Sequence, residues 1–215
     1  MFPYTFIFTP PHSFQYLYKK TYIRIFKQCQ IREYVTINAS VGEDTAVTIG
    51  DNCFLMAYCH VAHNCSLGTG VVMANNATLA GHVDIGDYAI IGGMTPIHQF
   101  VRIGKYAMVG GFSRVPQDVP PYTLGAGVPY RFGGLNLRGL KRHGFPMETR
   151  NAIFRAFRLI FRSDLSLEDA LKSIEETIPP LPEVKEFANF CRESKRGIIA
   201  LHSKTHQAQE ILTSG

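Results

Sequence analysis

The chain has 215 residues, enough for one large folded unit or one unit with a small appendage. Hydrophobic residues make up 46% and charged residues 18%, which excludes a disordered polyelectrolyte. Basic side chains number 22 and acidic ones 17, a balance of +5 that argues for no nucleic-acid partner. Clustered, it would still suit an acidic partner.

Residues 1–18 are rich in aromatics, and His12 is their only ionisable residue apart from tyrosines. They lack a basic start and carry Pro3, Pro10 and Pro11, so they make a poor signal peptide. The five cysteines are an odd number outside any small secreted framework, which points to free thiols in a reducing, cytoplasmic compartment. Residues 52–83 contain no Asp, Glu, Lys or Arg, a length that imitates a membrane helix. Asn52, His60, His63, Asn64, Asn75, Asn76 and His82 interrupt that stretch, with Gly68, Gly70 and Gly81, and they rule out a membrane span. A repetitive, water-soluble β structure fits instead.

Counting in sixes from Ile49 gives Leu55, Val61, Leu67, Met73, Leu79, Ile85, Ile91, Ile97, Ile103, Val109 and Val115, all large aliphatics. A period of eighteen is superposed, with Gly50, Gly68, Gly86 and Gly104 each following an aliphatic. Small residues recur four places after many of the aliphatics, as at Cys53, Cys59, Cys65, Ala77 and Ala89. A helix of 3.6 residues per turn cannot use a period of six. Three short strands per coil can, with the aliphatic inward and the small residue at the corner. Eighteen residues then close a triangular coil, and coils stack at about 4.8 Å. This is the hexapeptide repeat of a left-handed parallel β-helix. Ile25, Ile31 and Ile37 fit the spacing before an insertion at residues 41–46 breaks it.

The repeat ends at Val115, and residues 118–127 read as an exit loop. Helical spacing follows at Ile153, Phe157, Ile160 and Phe161, then at Leu167, Leu171, Ile174 and Ile178. Ser166 and Asp169 form a capping-box variant ahead of the second run. Pro182 opens a third run with Val184, Phe187 and Cys191. The expected division is a divergent or shortened segment 1–22, a β-helix 23–135, a helical domain 136–200 and a loose tail 201–215. The loosening is expected from about Arg196.

Stacking by eighteen also sorts the polar residues into columns. His63, Gly81 and Gln99 share one; Asn64, His82 and Phe100 lie beside it; Ala62, Ala80 and His98 lie on the other side. His63, His82 and His98 thus gather on one wall. Such a wall suits a general base near pH 7 or a zinc site; the alternative is a polar stripe facing solvent. Cys53, Cys59 and Cys65 look metal-like beside His60 and His63, yet all three occupy the small inward position, so packing explains them. Residues 138–162 carry Arg138, Lys141, Arg142, Arg150, Arg155, Arg158 and Arg162 against Glu148 alone. They make either a solvated helical face or a dock for an acidic protein or phosphates.

Several runs together resemble one family. They are His60-Val-Ala-His63-Asn-Cys, Asn75-Asn76-Ala-Thr-Leu-Ala-Gly-His82, Ile91-Gly-Gly-Met-Thr-Pro-Ile-His98-Gln-Phe, Gln117-Asp-Val-Pro-Pro-Tyr122 and Gly139-Leu-Lys-Arg142. From about Ile23 to Arg196 the chain is similar to the UDP-N-acetylglucosamine O-acyltransferases, which open lipid A synthesis. The resemblance implies a homotrimer with sites between neighbouring β-helices. It implies 3-hydroxyacyl groups on acyl carrier protein and UDP-N-acetylglucosamine as substrates, and no cofactor or metal. It makes His63 the general base, assisted by Asn64, and Gly81 the residue whose N–H faces the thioester oxygen. His82, His98 and Gln99 match substrate contacts, Asn136 and Arg142 nucleotide contacts, and Gly111 a limit on acyl length. Within the basic cluster at residues 138–162, Arg155 and Arg158 are expected to dock the carrier, which is acidic.

Three departures stand out. Asn64 replaces the Asp of many relatives, and Arg138 and His143 replace the Glu and Arg of some. The family also has coils before Ile23, with an Asp and a Lys that contact the sugar, which residues 1–18 lack. Competing readings are a sugar-nucleotide N-acyltransferase, a zinc-dependent γ-class carbonic anhydrase and a non-enzymatic scaffold. The anhydrase reading suffers because His63 and His98 are thirty-five residues apart and position 103 is Ile.

Overall fold

The computed structural model describes residues 1–14, 16, 17 and 19–199. The chain begins with β1 (Phe6–Thr9), β2 (Tyr22–Ile25), β3 (Gln30–Ile31) and β4 (Thr36–Asn38). One coil further on come β5 (Ala46–Ile49), β6 (Phe54–Leu55) and β7 (His60–Val61). The next holds β8 (Ser66–Leu67), β9 (Val72–Met73) and β10 (Thr78–Leu79). Above it stack β11 (Asp84–Ile85), β12 (Ile90–Ile91) and β13 (Pro96–Ile97), then β14 (Arg102–Ile103) and β15 (Met108–Val109). Every third strand pairs in parallel, which makes the three faces of a prism: β1-β4-β7-β10-β13, β2-β5-β8-β11-β14 and β3-β6-β9-β12-β15. Ile7 and Ile25 at the open end are half-buried, and from Ile49 to Val115 the aliphatic of each hexad is buried inside. Each such side chain contributes about 1.5–3 kcal/mol by leaving water.

The insertion before β5 is one whole hexad. The step between paired strands is twenty-four residues from β2 to β5, then eighteen from β5 to β8, so the inward phase survives. Residues 1–22 do not lie outside the repeat as the sequence reading has it. β1 pairs with β4, placing Ile7 beside Ile37, and Tyr4 stacks on Tyr34 with centroids 5.2 Å apart. The intervening prolines and the thirty-residue step hide this coil from a count in sixes.

From Asn52 to Phe112 every sixth residue has positive φ, and Gly70 is the only glycine among them. A left-handed residue other than glycine costs about 1–2 kcal/mol. Corner side chains recur at one strand spacing, so aromatic pairs stack there: Tyr34–Tyr58 at 4.9 Å, Tyr88–Tyr106 at 5.1 Å and His82–Phe100 at 4.8 Å. Such pairs return about 0.5–1.5 kcal/mol each beyond their burial.

The coil continues past Val115, where the repeat pattern ends and the sequence reads as an exit loop. Val115 bridges Ile97 and Val119 bridges Ile103. β16 (Thr123–Ala126) then extends β15, and β17 (Arg131–Leu135) returns antiparallel to it. Gly125, Gly127 and the proline pair mask these strands in the sequence. A short helix, α1 (Leu137–Arg142), follows, also unforeseen. The three expected helices are α2 (Met147–Phe161), α3 (Leu167–Thr177) and α4 (Pro182–Arg192). Ser166 caps α3: its hydroxyl accepts the Asp169 N–H at 3.1 Å and donates to the Asp169 carboxylate at 2.7 Å. Phe161 of α2 packs against Phe132 of β17 and Phe187 of α4, joining the helices to the β-helix end.

The chain is not loose at Arg196. Its Nε donates to Pro116 O at 3.0 Å, the Asp118 N–H donates to Gly197 O at 3.0 Å, and Ile199 is buried. The expected loose tail, 201–215, lies outside the described residues.

Candidate active site

His63 and Gly81 occupy adjacent levels of one corner column. The His63 ring lies directly over Gly81: a Cβ there would sit 2.5 Å from His63 Nε2 and collide with the ring. Only glycine leaves room for the imidazole. His63 Nδ1 is 2.9 Å from Asn64 Oδ1; an amide oxygen only accepts, so the proton sits on Nδ1 and Nε2 is the unprotonated nitrogen. The His82 ring meets the His63 ring edge-on at 5.2 Å. Burial, and then the neighbouring His63, hold the His82 imidazole below the usual histidine range. His98 is exposed one level further on, with Nδ1 3.2 Å from Gln99 O.

The Gly81 N–H has no acceptor among the described residues. Equivalent corner N–H groups show what it would hold. The Thr69 N–H donates to Asp87 Oδ1 at 2.9 Å, and the Lys27 N–H to Asp51 Oδ1 at 2.7 Å, each carboxylate coming from the next level. This corner geometry therefore presents an N–H to an oxygen. At Gly81 the next level supplies Gln99 in place of a carboxylate, and an oxyanion could take that position.

A cleft of about 760 Å³ opens beside this column, lined by His82, Asp84, Phe100, Arg102, Asp118, Glu193, Lys195 and Arg196. That is ordinary for a small-molecule site. Asp118 ties its wall together, accepting from the Arg102 N–H at 2.8 Å and the Ser194 hydroxyl at 2.8 Å. Of this lining the sequence reading named His82 alone as a site residue, because residues 102 and 193–196 meet it only through the fold.

Other candidates fall elsewhere. Asn136 is buried and uses its amide within the chain: Oδ1 accepts the Gly139 N–H at 3.0 Å and Nδ2 donates to Tyr106 O at 3.0 Å. It thereby caps α1, at whose far end Arg142 stands exposed. Gly111 is exposed on the outer surface, where a Cβ would meet Gly93 O at 3.2 Å. Arg155 and Arg158 join Arg162, Leu159, Ser163 and Thr177 around a hollow of about 280 Å³, and the Arg155 guanidinium donates to Thr177 O at 2.7 Å. Cys53, Cys59 and Cys65 point inward, each within 3.1 Å of a backbone carbonyl. Burial pushes their thiols up to about 11, 11 and 12, which leaves them protonated, packed groups.

Residues 46–81 match the bacterial transferase hexapeptide family, and residues 118–199 match the second domain of UDP-N-acetylglucosamine O-acyltransferase. The acyl-[acyl-carrier-protein]–UDP-N-acetylglucosamine O-acyltransferase of Thermodesulfovibrio yellowstonii is 48% identical over 199 residues, covering 92% of this chain and 77% of that one. Its namesake from Verminephrobacter eiseniae is 41% identical over 204 residues, covering 93% and 78%. The solved UDP-N-acetylglucosamine acyltransferase of Bacteroides fragilis superposes with a TM-score of 0.90 at 36% identity, covering 93% of this chain and 78% of that chain. The Campylobacter jejuni enzyme gives 0.85 at 39% identity, covering 94% and 78%. This likeness supports the left-handed form of the β-helix. The chain belongs to the acyl-[acyl-carrier-protein]–UDP-N-acetylglucosamine O-acyltransferase family.

Proposed function

We propose that the chain transfers a 3-hydroxyacyl group from acyl carrier protein to the 3-hydroxyl of UDP-N-acetylglucosamine, the opening step of lipid A synthesis, with His63 as general base. The observation that carries the residue assignment is the His63 imidazole seated over Gly81, with Nδ1 held by Asn64 and an unused N–H beneath. Nε2 removes the hydroxyl proton as the sugar oxygen attacks the thioester carbonyl. The carbonyl oxygen takes the developing negative charge against the Gly81 N–H. The C–S bond then breaks, and the imidazolium returns the proton to the departing carrier thiolate. Atoms balance: one ester forms and one thiol is released. The named relatives favour this reading over the N-acyl and anhydrase alternatives. Mild alkali separates the first two, since an ester product hydrolyses and an amide survives.

A trimer is part of the proposal. The His63 column flanks one edge of the β2-β5-β8-β11-β14 face, whereas His143, just past α1, packs on Tyr88 and Tyr106 at the other edge. Six residues at about 3.3 Å each, roughly 20 Å, separate the two edges. A neighbouring copy could bring its own α1 edge to the His63 edge of this one. Sedimentation is expected to give three times the 24.0 kDa chain mass. As for membranes, no helix among the described residues is long and apolar enough to cross one.

Gly111→Met is expected to shift preference toward acyl chains shorter by about four carbons. A Met side chain fills the length of about four methylenes, each worth about 0.8 kcal/mol when buried, so the excluded chains lose more than a hundredfold. Competition between acyl carriers of different chain length checks this. An unmoved profile would remove Gly111 from the acyl path. Reversing Arg155 and Arg158 to Glu is expected to raise KM for the acidic carrier and flatten its salt dependence. An unchanged KM at low salt would contradict carrier docking at this hollow.

A further inference from the structure

The extra hexad before β5 lies within the loop at residues 39–45, between β4 and β5. The loop is tied to itself by Thr45, whose hydroxyl lies 2.9 Å from Ser40 Oγ, 3.0 Å from Val41 O and 2.8 Å from Gly42 O. Gly42 takes φ +103°, a turn that side chains disfavour.

Val41 presents both of its backbone polar groups to Asn64. Its N–H donates to Asn64 Oδ1 at 3.0 Å, and Asn64 Nδ2 donates to Val41 O at 3.1 Å. A peptide N–H only donates and a carbonyl only accepts. The pair therefore decides which end of the Asn64 amide is oxygen, because a flipped amide would set donor against donor and oxygen against oxygen. The oxygen so fixed faces His63 Nδ1 at 2.9 Å. It can only accept, so Nδ1 carries the proton and Nε2 keeps the lone pair that general-base chemistry needs.

We propose that the loop at residues 39–45 is a positioning element for acyl transfer, setting the His63 tautomer through Val41 and Asn64. The proposal rests on His63 being the base. It also accounts for asparagine at position 64: an aspartate there would hold its second oxygen against the Val41 carbonyl.

Ring-nitrogen ¹⁵N chemical shifts of His63, assigned by their loss in His63→Gln, test it. The native chain is expected to hold neutral His63 protonated at Nδ1. A native His63 protonated mainly at Nε2 overturns the proposal, whatever the activity. Deleting residues 40–45 restores the eighteen-residue step, and Thr45→Val unties the loop by one hydroxyl. Both changes are expected to move His63 toward the Nε2–H form. They should also lower kcat at least about tenfold, with KM for both substrates within about twofold. Thr45→Val decides the matter if the deletion does not fold. An unchanged tautomer with unchanged kcat in a folded loop variant leaves the loop a structural role only and ends the proposal. A normal Nδ1–H tautomer in a native chain without acyl transfer would refute the base and leave the hydrogen-bond clamp standing, so the two failures are distinguishable.

Discussion

Replacing His63 with alanine is expected to lower kcat/KM for acyl transfer by about 10²–10⁴, the usual contribution of a general base. Thermal stability should fall by no more than a few degrees, about 2–8 °C, with the chain still folded. The backbone keeps its part, since the His82 N–H donates to the His63 carbonyl at 3.0 Å and alanine preserves that bond. What is lost is the Asn64 hydrogen bond and an edge-on ring contact, about 1–2 kcal/mol together. The rate loss should fall on kcat with KM little changed, because proton removal belongs to the transition state. A folded variant that retains most of its kcat would end the assignment of His63.

Gly81→Ala is expected to cost about as much by another route. The added methyl would stand where the His63 ring now lies, so the base must tilt away from the hydroxyl it deprotonates. The N–H below it remains, but base and donor no longer converge on one carbonyl. A loss of about 10²–10³ in kcat is expected. Gly133→Ala is the control, since its Cβ would meet Leu124 O at an ordinary 3.7 Å. Equal kcat for Gly81→Ala and this control would show that the close approach at Gly81 does not serve the reaction.

The inward aliphatics make the β-helix legible because a period of six has no other regular use, and every third strand follows from it. The columns at multiples of eighteen likewise place His63, Gly81 and His82 together, and their ring contact and close approach agree with that arithmetic. Four features escape such counting. The coil containing β1 lies thirty residues before its partner β4, and between Ile7 and Ile25 the count in sixes falls on Ser13 and Lys19. The positive-φ corners are filled by Tyr, His, Met and Phe as well as Asn, so residue type does not mark them. Asn136 looks like a free amide in the sequence, and only the fold brings Tyr106 O and the Gly139 N–H to it. The insertion at residues 39–45 is visible as a break in step, yet its contact with Asn64 depends on a loop conformation that no period encodes.

The central claim is that this chain moves an acyl group from carrier thiol to sugar hydroxyl through His63. Its most direct test follows carrier thiol release together with sugar ester formation. The purified chain is mixed with 3-hydroxyacyl carrier protein, with and without UDP-N-acetylglucosamine. The account predicts one free thiol for each alkali-labile ester at the sugar 3-hydroxyl, dependence on the sugar nucleotide, and near-complete loss of both signals in His63→Ala. Thiol release without the sugar nucleotide, an alkali-stable product, or equal turnover by His63→Ala would contradict it.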